Sequence, residues 1–306
     1  MPLIVTGTIG IDTVHTPVAK VEQVLGGSCT YFAAAASFFT HVRLVAVVGD
    51  DFHADYHAVL RKFPNIDVDG LEVRTGRKTF RWGGRYLEDM NERETMFTEL
   101  GVVGEQPPTP PAKYRDSKFV FLANSHPSIQ RGMLESFPER KIAVADTMNL
   151  WIDSALPELK TLLKEIDGLV VNDQESRMLT GTRNVFTAGK RILDMGPKFV
   201  VIKKGEHGAV LVHREGVAAL PAFPSEKVID PTGAGDTFAG GMMGHLAASH
   251  TKDGRIDFPA IQQAIAHGTI IASFTIESFG LDRLAALTKK EVADRYNRFA
   301  EIVRVG

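Results

Sequence analysis

Asp230-Pro-Thr-Gly-Ala-Gly-Asp-Thr-Phe-Ala-Gly-Gly241 gathers two carboxylates, a proline and a run of small residues in one short stretch. Gly233 and Gly235 permit backbone dihedrals that a side chain would forbid. Phe238, Met242 and Leu246 recur at helical spacing, which predicts a helix starting near Gly235 or Asp236. The first amides of a helix have no internal partner, and the helix dipole adds positive potential there. With only Gly233, Ala234 and Gly235 around them, those N–H groups are open to an anion. Asp236 in the same turn would repel an anion that merely bound. The pairing makes chemical sense if Asp236 takes a proton from an attacking hydroxyl while the amides hold the phosphoryl group under attack. The alternative is capping, since Asp is a favoured N-cap and glycine-rich turns are common. Few structural needs call for Pro231, the small residues and both acids at one turn.

The elements that must carry this turn alternate along the chain. Leu3 to Val5 reads as a buried strand that stops at Gly7, so Asp12 falls beyond its C-terminal end, the edge where open α/β sheets bind ligands. Gly26-Gly27-Ser28 opens a small apolar helix through Ala33 to Ala36, with Cys29 as a small buried hydrophobe. Val42 to Val48 is a strand, followed by a helix over Asp51 to Arg61. From Val68 to about Leu100, Phe80, Trp82 and Tyr86 sit among glycines and polar residues in short alternating runs, which predicts a small antiparallel sheet. Beyond the prolines at Pro107 to Pro111, strands are predicted at 118–123, 142–145, 168–171, 199–202 and 209–212. Helices are predicted at 128–136, 153–165, 260–276 and 292–303. This alternation implies a mostly parallel sheet covered on both faces. Asp146 and Asn149 lie past a strand end and face the same edge, with no firm role.

Two short motifs sit at that edge. Asn172 opens a helix and Glu175 follows three positions later, the spacing of a capping box. Lys203-Lys204-Gly205-Glu-His-Gly208 joins two strands as a tight hairpin, and its lysines can add positive charge.

Bulk properties narrow the field. The 306 residues suffice for one large α/β domain, and 44% hydrophobic with 24% charged residues is ordinary globular composition. A formal net charge of −2 gives no sign of a nucleic-acid or anionic-membrane surface. A single cysteine excludes an internal disulfide and points to a reducing compartment. No apolar run reaches membrane-spanning length and no leader pattern opens the chain, so a soluble cytoplasmic protein is expected. There is no Gly-x-x-x-x-Gly-Lys-Ser/Thr loop, no dinucleotide fingerprint and no zinc-type spacing.

The stretch from Asp230 to Gly241 resembles the C-terminal signature of the ribokinase-like (PfkB family) carbohydrate kinases. Asp12, the Gly26-Gly27 pair, Asn172-x-x-Glu175 and Gly205-x-x-Gly208 fall in that family's order. The resemblance implies a three-layer α/β/α fold with a mostly parallel central sheet and a small β lid. It implies a single domain over 1–306, with the lid formed by about 68–100 and part of 13–25. It also implies transfer of phosphoryl from ATP, with Mg2+, to an alcohol group of a sugar. Asp236 would be the base, and Gly233, Ala234 and Gly235 the anion hole. Asp12, Gly26 and Gly27 would meet the acceptor. Tyr31 stands where the family has an Asn that grips acceptor hydroxyls, so it either stacks on a ring or fills space, and a nucleoside acceptor is the alternative. A binding protein that has lost turnover is a second alternative. Asn172, Lys204, Gly205, Gly208, Thr232 and His267 would face the nucleotide. Glu175 and Asn172 would place Mg2+ largely through water, and Asp230 would neighbour a monovalent cation such as K+ in some members. Two lids often pair in this family, which implies a homodimer.

Overall fold

The computed structural model describes residues 1–250 and 256–304; the rest of the domain expected over 1–306 lies outside the described residues. The first half runs β1 (Leu3–Thr6), β2 (Gly10–His15), β3 (Lys20–Gly26), α1 (Ser28–Ala36), β4 (Val42–Gly49), α2 (Ala54–Arg61), β5 (Ile66–Arg74), β6 (Phe80–Tyr86) and β7 (Arg93–Glu99). Next come β8 (Phe119–Leu122), α3 (Pro127–Glu135), β9 (Ile142–Asp146), α4 (Asn149–Ser154), α5 (Leu156–Leu163), β10 (Gly168–Asn172), α6 (Asp173–Thr180) and α7 (Val185–Asp194). The chain closes with β11 (Phe199–Lys203), β12 (Ala209–His213), β13 (Gly216–Leu220), α8 (Ala234–Ser249), α9 (Phe258–Thr275), α10 (Asp282–Ala286) and α11 (Lys289–Ile302).

A nine-stranded sheet has the order β13-β12-β11-β10-β9-β8-β1-β4-β5. It is parallel from β11 to β5 and ends in an antiparallel meander at β12 and β13. Its central strands are apolar throughout because both faces are covered. Phe199 and Val201 join the core beneath α1, α8 and α9, while Val200 and Ile202 join the core beneath α3, α5 and α7. Phe32 of α1 stacks on Phe121 of β8 at 4.3 Å between ring centroids, which fixes α1 to the sheet.

A second, four-stranded sheet has the order β3-β2-β6-β7. It departs from the expected antiparallel lid over 68–100 in two ways. Ile66–Arg74 pairs parallel with β4 and belongs to the edge of the large sheet. Within the small sheet β2 and β6 run parallel. Local alternation of apolar and polar residues fits either sheet, so only the tertiary partner decides. The helix expected over 153–165 is two helices. Ala155 has φ −140° and ψ 36°, and Pro157 opens α5 without an amide to donate. Helix α2 begins at Ala54 rather than Asp51; α7 and β13 are further elements beyond the sequence reading.

Helix α8 is set by close backbone approach. A Cβ on Gly240 would run into the Phe32 carbonyl, and one on Gly244 would lie 2.8 Å from Ala36 Cα. On the other side, a Cβ on Gly241 would lie 3.0 Å from Gly268 Cα of α9. Small residues therefore seat α8 between α1 and α9, and that seating aims its N-terminus at the C-terminal edge of the sheet. Gly240→Val should cost about 1–3 kcal/mol by overpacking. The exposed Gly132, with open space around it, should tolerate Ala and gain up to about 1 kcal/mol. Urea unfolding of both variants checks the pair; a neutral Gly240→Val would contradict this packing.

Candidate active site

Helix α8 starts at Ala234, with Gly233 as its N-cap at φ 74°, a left-handed conformation that glycine adopts without strain. A Cβ at Gly233 would also meet the Tyr31 ring. Asp230 shapes the approach to the helix, its Oδ1 accepting from the Thr232 amide at 2.8 Å. The Ala234 amide donates to the Pro231 carbonyl at 3.1 Å, so it is not free for an anion as expected. The amides of Gly235 and Asp236 have no carbonyl partner among the described residues. Because Gly235 lacks a Cβ, the Lys203 ammonium comes close; a Cβ there would sit 2.6 Å from Lys203 Nζ.

Five carboxylates converge on this turn. Asp12, Asp146, Glu175 and Asp230 are buried, and Asp236 is half-buried. Burial raises Asp12 to about 7, helped by repulsion from Asp230 and Asp236. Burial likewise raises Asp146, Glu175, Asp230 and Asp236. Lys203, and after it Arg93, oppose the rise at Asp236. One oxygen each of Asp146 and Asp230 is buried with no hydrogen-bond partner among the described residues. Such a set favours a ligand that brings positive charge.

Asp12 lies within β2 of the small sheet rather than in a loop after β1, and it rests over Gly26, where no Cβ could fit. Gly27 has φ 94° and brings its backbone against Thr8 and Gly10. Asn172 and Glu175 form the expected capping box, the Asn172 side chain accepting from the Glu175 amide and the Glu175 carboxylate from the Asn172 amide, each at 2.7 Å. That box fixes Glu175 where Lys203 offsets its charge. Both readings of the motif are compatible, since Glu175 keeps a second oxygen.

Gly205–His207 forms a 3-10 turn between β11 and β12, and Gly208 follows at φ 82°. The two lysines expected near the nucleotide take different positions. Lys203 shares a sheet face with Phe199 and Val201, the face covered by α8, and successive strand residues point opposite ways. Lys203 is therefore the cation beside Asp236, and the Lys204 amide closes the turn onto the Gly208 carbonyl at 2.7 Å. His267, expected to face the nucleotide, has its ring in a helix interface. Its ring stacks between His245 at 3.8 Å and Tyr296 at 4.3 Å, edge-on to Phe39, among α8, α9 and α11. Burial there depresses it to about 3, so it is a neutral packing residue. Tyr31 is only 1% exposed beneath Gly233 and offers no ring face for stacking; its unpartnered hydroxyl faces Asp12 and Asp230.

Arg93 and Asp146 are the residues that sequence reasoning left without a role. Arg93 opens β7 directly opposite Tyr86, and Thr232 Oγ1 donates to the Tyr86 hydroxyl at 3.2 Å. The hairpin between β6 and β7 reaches across the cleft, where Asn91 Nδ2 donates to Glu206 at 3.2 Å. The small sheet thus covers the turn that starts α8. Among the described residues, no group of three or more His, Cys, Asp or Glu could hold a metal ion directly, and no helix is long and apolar enough to cross a membrane.

Proteins similar to this chain in sequence or fold include kinases. Residues 5–286 match the family described as pfkB family carbohydrate kinase. The chain is 30% identical over 251 residues to a cytidine kinase of Thermococcus kodakarensis, covering 79% of this chain and 87% of that one. It is 25% identical over 270 residues to a nucleoside kinase of Methanothermobacter thermautotrophicus, covering 87% and 82%. The fold superimposes on the Methanocaldococcus jannaschii nucleoside kinase, an archaeal member of the ribokinase family, with a TM-score of 0.77 at 18% identity over 97% of this chain and 98% of that one. With a family match running from β1 to α10, and a relative at this identity across most of both chains, the chain belongs to the pfkB family of carbohydrate kinases.

Proposed function

We propose that this kinase moves the γ-phosphoryl group of ATP to a hydroxyl of a sugar moiety, with Asp236 as general base. The observation that carries this reading is Asp236 itself, half-buried in the first turn of α8, facing Lys203, with the Gly235 and Asp236 amides free of any carbonyl partner among the described residues. Asp12 orients the acceptor, and Gly26 and Gly27 let it approach the backbone. Asp236 takes the hydroxyl proton as the oxygen attacks phosphorus. The amides of Gly235 and Asp236, with Lys203, receive the charge that builds on the phosphoryl oxygens. The small sheet keeps water from competing with the acceptor.

The residues present fit a magnesium ion held mainly through water. Glu175, Asn172 and the oxygen of Asp146 that lacks a partner among the described residues are hard donors beside Lys203. The ion supplies neutralisation of phosphate charge. The buried unpartnered oxygen of Asp230 suits a monovalent cation such as K+. Gly205, Gly208 and Thr232 border the nucleotide. A nucleoside is the second reading of the acceptor, favoured by the cytidine kinase and nucleoside kinase relatives; its base would lie under the lid near Phe80 and Trp82. The protein works in the cytoplasm. Leu87 and Phe97 are exposed at the small sheet and support pairing of two lids in a homodimer.

ADP release across a panel of sugars and nucleosides tests the function. Asp236→Asn should lower kcat by about 10²–10⁴ while ATP binding, measured by calorimetry, is retained. Turnover that survives the change would remove Asp236 from the role of base.

Lys203→Met should lower kcat by about 10–100-fold, and Lys204→Met should leave it unchanged; the reverse pattern would return the role to Lys204. The acid limb of kcat/KM tests the same pair. Asp236 acts only when ionised and burial raises its pKa, so activity should fall as pH drops through a value above the ordinary carboxylate range. Lys203 opposes that rise, so Lys203→Met should move the limb to higher pH. A limb that stays put or moves down would contradict this pairing.

A further inference from the structure

Arg93 is charged, sits on the small sheet and faces Asp236 of α8 and Glu175 of α6. It lies directly opposite Tyr86 across β6 and β7, and opposite residues share a sheet face. Tyr86 is tied to the start of α8 through Thr232, so this is the face that looks onto Asp236. The Arg93 guanidinium stands beside the Tyr86 hydroxyl and close enough to Asp236 and Glu175 to oppose their charge. It packs over the Trp82 ring at 5.3 Å. That ring folds over Gly84, where a Cβ would collide with it.

Among the described residues Arg93 forms no salt bridge, although arginines 74, 81, 283 and 295 all do. It is also exposed, so a ligand can reach it. An aromatic platform holds the guanidinium beside carboxylates without a salt bridge, which leaves the donors not turned to Tyr86 for an anion. The hairpin that carries it is closed on the far side of the cleft. Asn91 bonds Glu206, and Gly205 leaves room for Asn91, whose Oδ1 would lie 3.2 Å from a Cβ there.

We propose that Arg93 is a catalytic residue delivered by the small sheet, its guanidinium meeting the phosphoryl group in transfer while the α8 amides and Lys203 hold that group from the large sheet. In the step, the bond from the γ-phosphorus to the ADP oxygen breaks and its electron pair stays on ADP. The acceptor oxygen forms the new bond to phosphorus, and its proton goes to Asp236. Arg93 neither gains nor loses a proton; its planar, permanently charged fork matches two phosphoryl oxygens. Closure of the small sheet thereby completes the charge environment as well as excluding water. The inference rests on the reading of Asp236 as the base for phosphoryl transfer.

The test uses the full chain with MgATP and the acceptor that supports turnover. Arg93→Gln should lower kcat by about 10²–10³, with the KM values for ATP and acceptor nearly unchanged. Millimolar guanidinium chloride should restore part of the turnover of Arg93→Ala. Arg85→Gln should behave as wild type, because Arg85 is exposed on the opposite face, across from Glu94. Full kcat in Arg93→Gln, a loss confined to KM, or no response of Arg93→Ala to guanidinium would each overturn the proposal. Wild-type turnover that survives Asp236→Asn would bring down the underlying reading instead, and that control separates the two failures.

Discussion

As the proposed base, Asp236 must keep a negative charge in a place that penalises it. Four more carboxylates, Asp12, Asp146, Glu175 and Asp230, lie in the same cleft, and burial pushes all five toward their neutral forms. Lys203 and Arg93 are the cations that offset this at Asp236. A charge with so little compensation is costly in a low dielectric, and the cost is tolerable only where ligands supply what the chain does not. In the proposed reaction a magnesium ion held through water would bring positive charge to the oxygens of Asp146 and Glu175. The acceptor hydroxyl would bring a proton to Asp236. The arrangement is therefore better matched to a reacting complex than to the protein alone, which is what catalysis requires.

That electrostatic arrangement depends on backbone packing far from it. Gly240 and Gly244 let α8 lie against α1, and Gly241 lets it lie against α9. Those contacts fix the direction of the helix and hence where its first amides point. At its N-terminus, Gly233 and Gly235 lack the atoms that would collide with Tyr31 and Lys203. The same absence of side chains thus serves helix packing at one end and chemistry at the other.

Local chemistry made much of this legible from sequence. The glycines, Pro231 and Asp236 act within one turn, so their meaning lies within one stretch of chain. The capping box of Asn172 and Glu175 likewise closes within four residues, and the structure contains it. Contacts that depend on tertiary placement were not legible. Which of Lys203 and Lys204 faces Asp236 depends on which helix covers each face of β11. His267 sits on a helix near the nucleotide side, but its ring turns into a stack with His245 and Tyr296. Arg93 looks like any solvated charge on a strand, and only the closure of one sheet over another brings it to Asp236. Ile66–Arg74 alternates as a lid strand would, yet it pairs with β4 because that edge of the large sheet was open.

A crystal structure with ADP, magnesium, aluminium fluoride and the acceptor would measure the central claim most directly, because the fluoride complex marks where the transferring phosphoryl group resides. The account predicts aluminium over the start of α8, with fluorides on the amides of Gly235 and Asp236 and the Asp236 carboxylate hydrogen-bonded to the acceptor oxygen. Aluminium fluoride seated elsewhere, with Asp236 turned away from the acceptor, would contradict it.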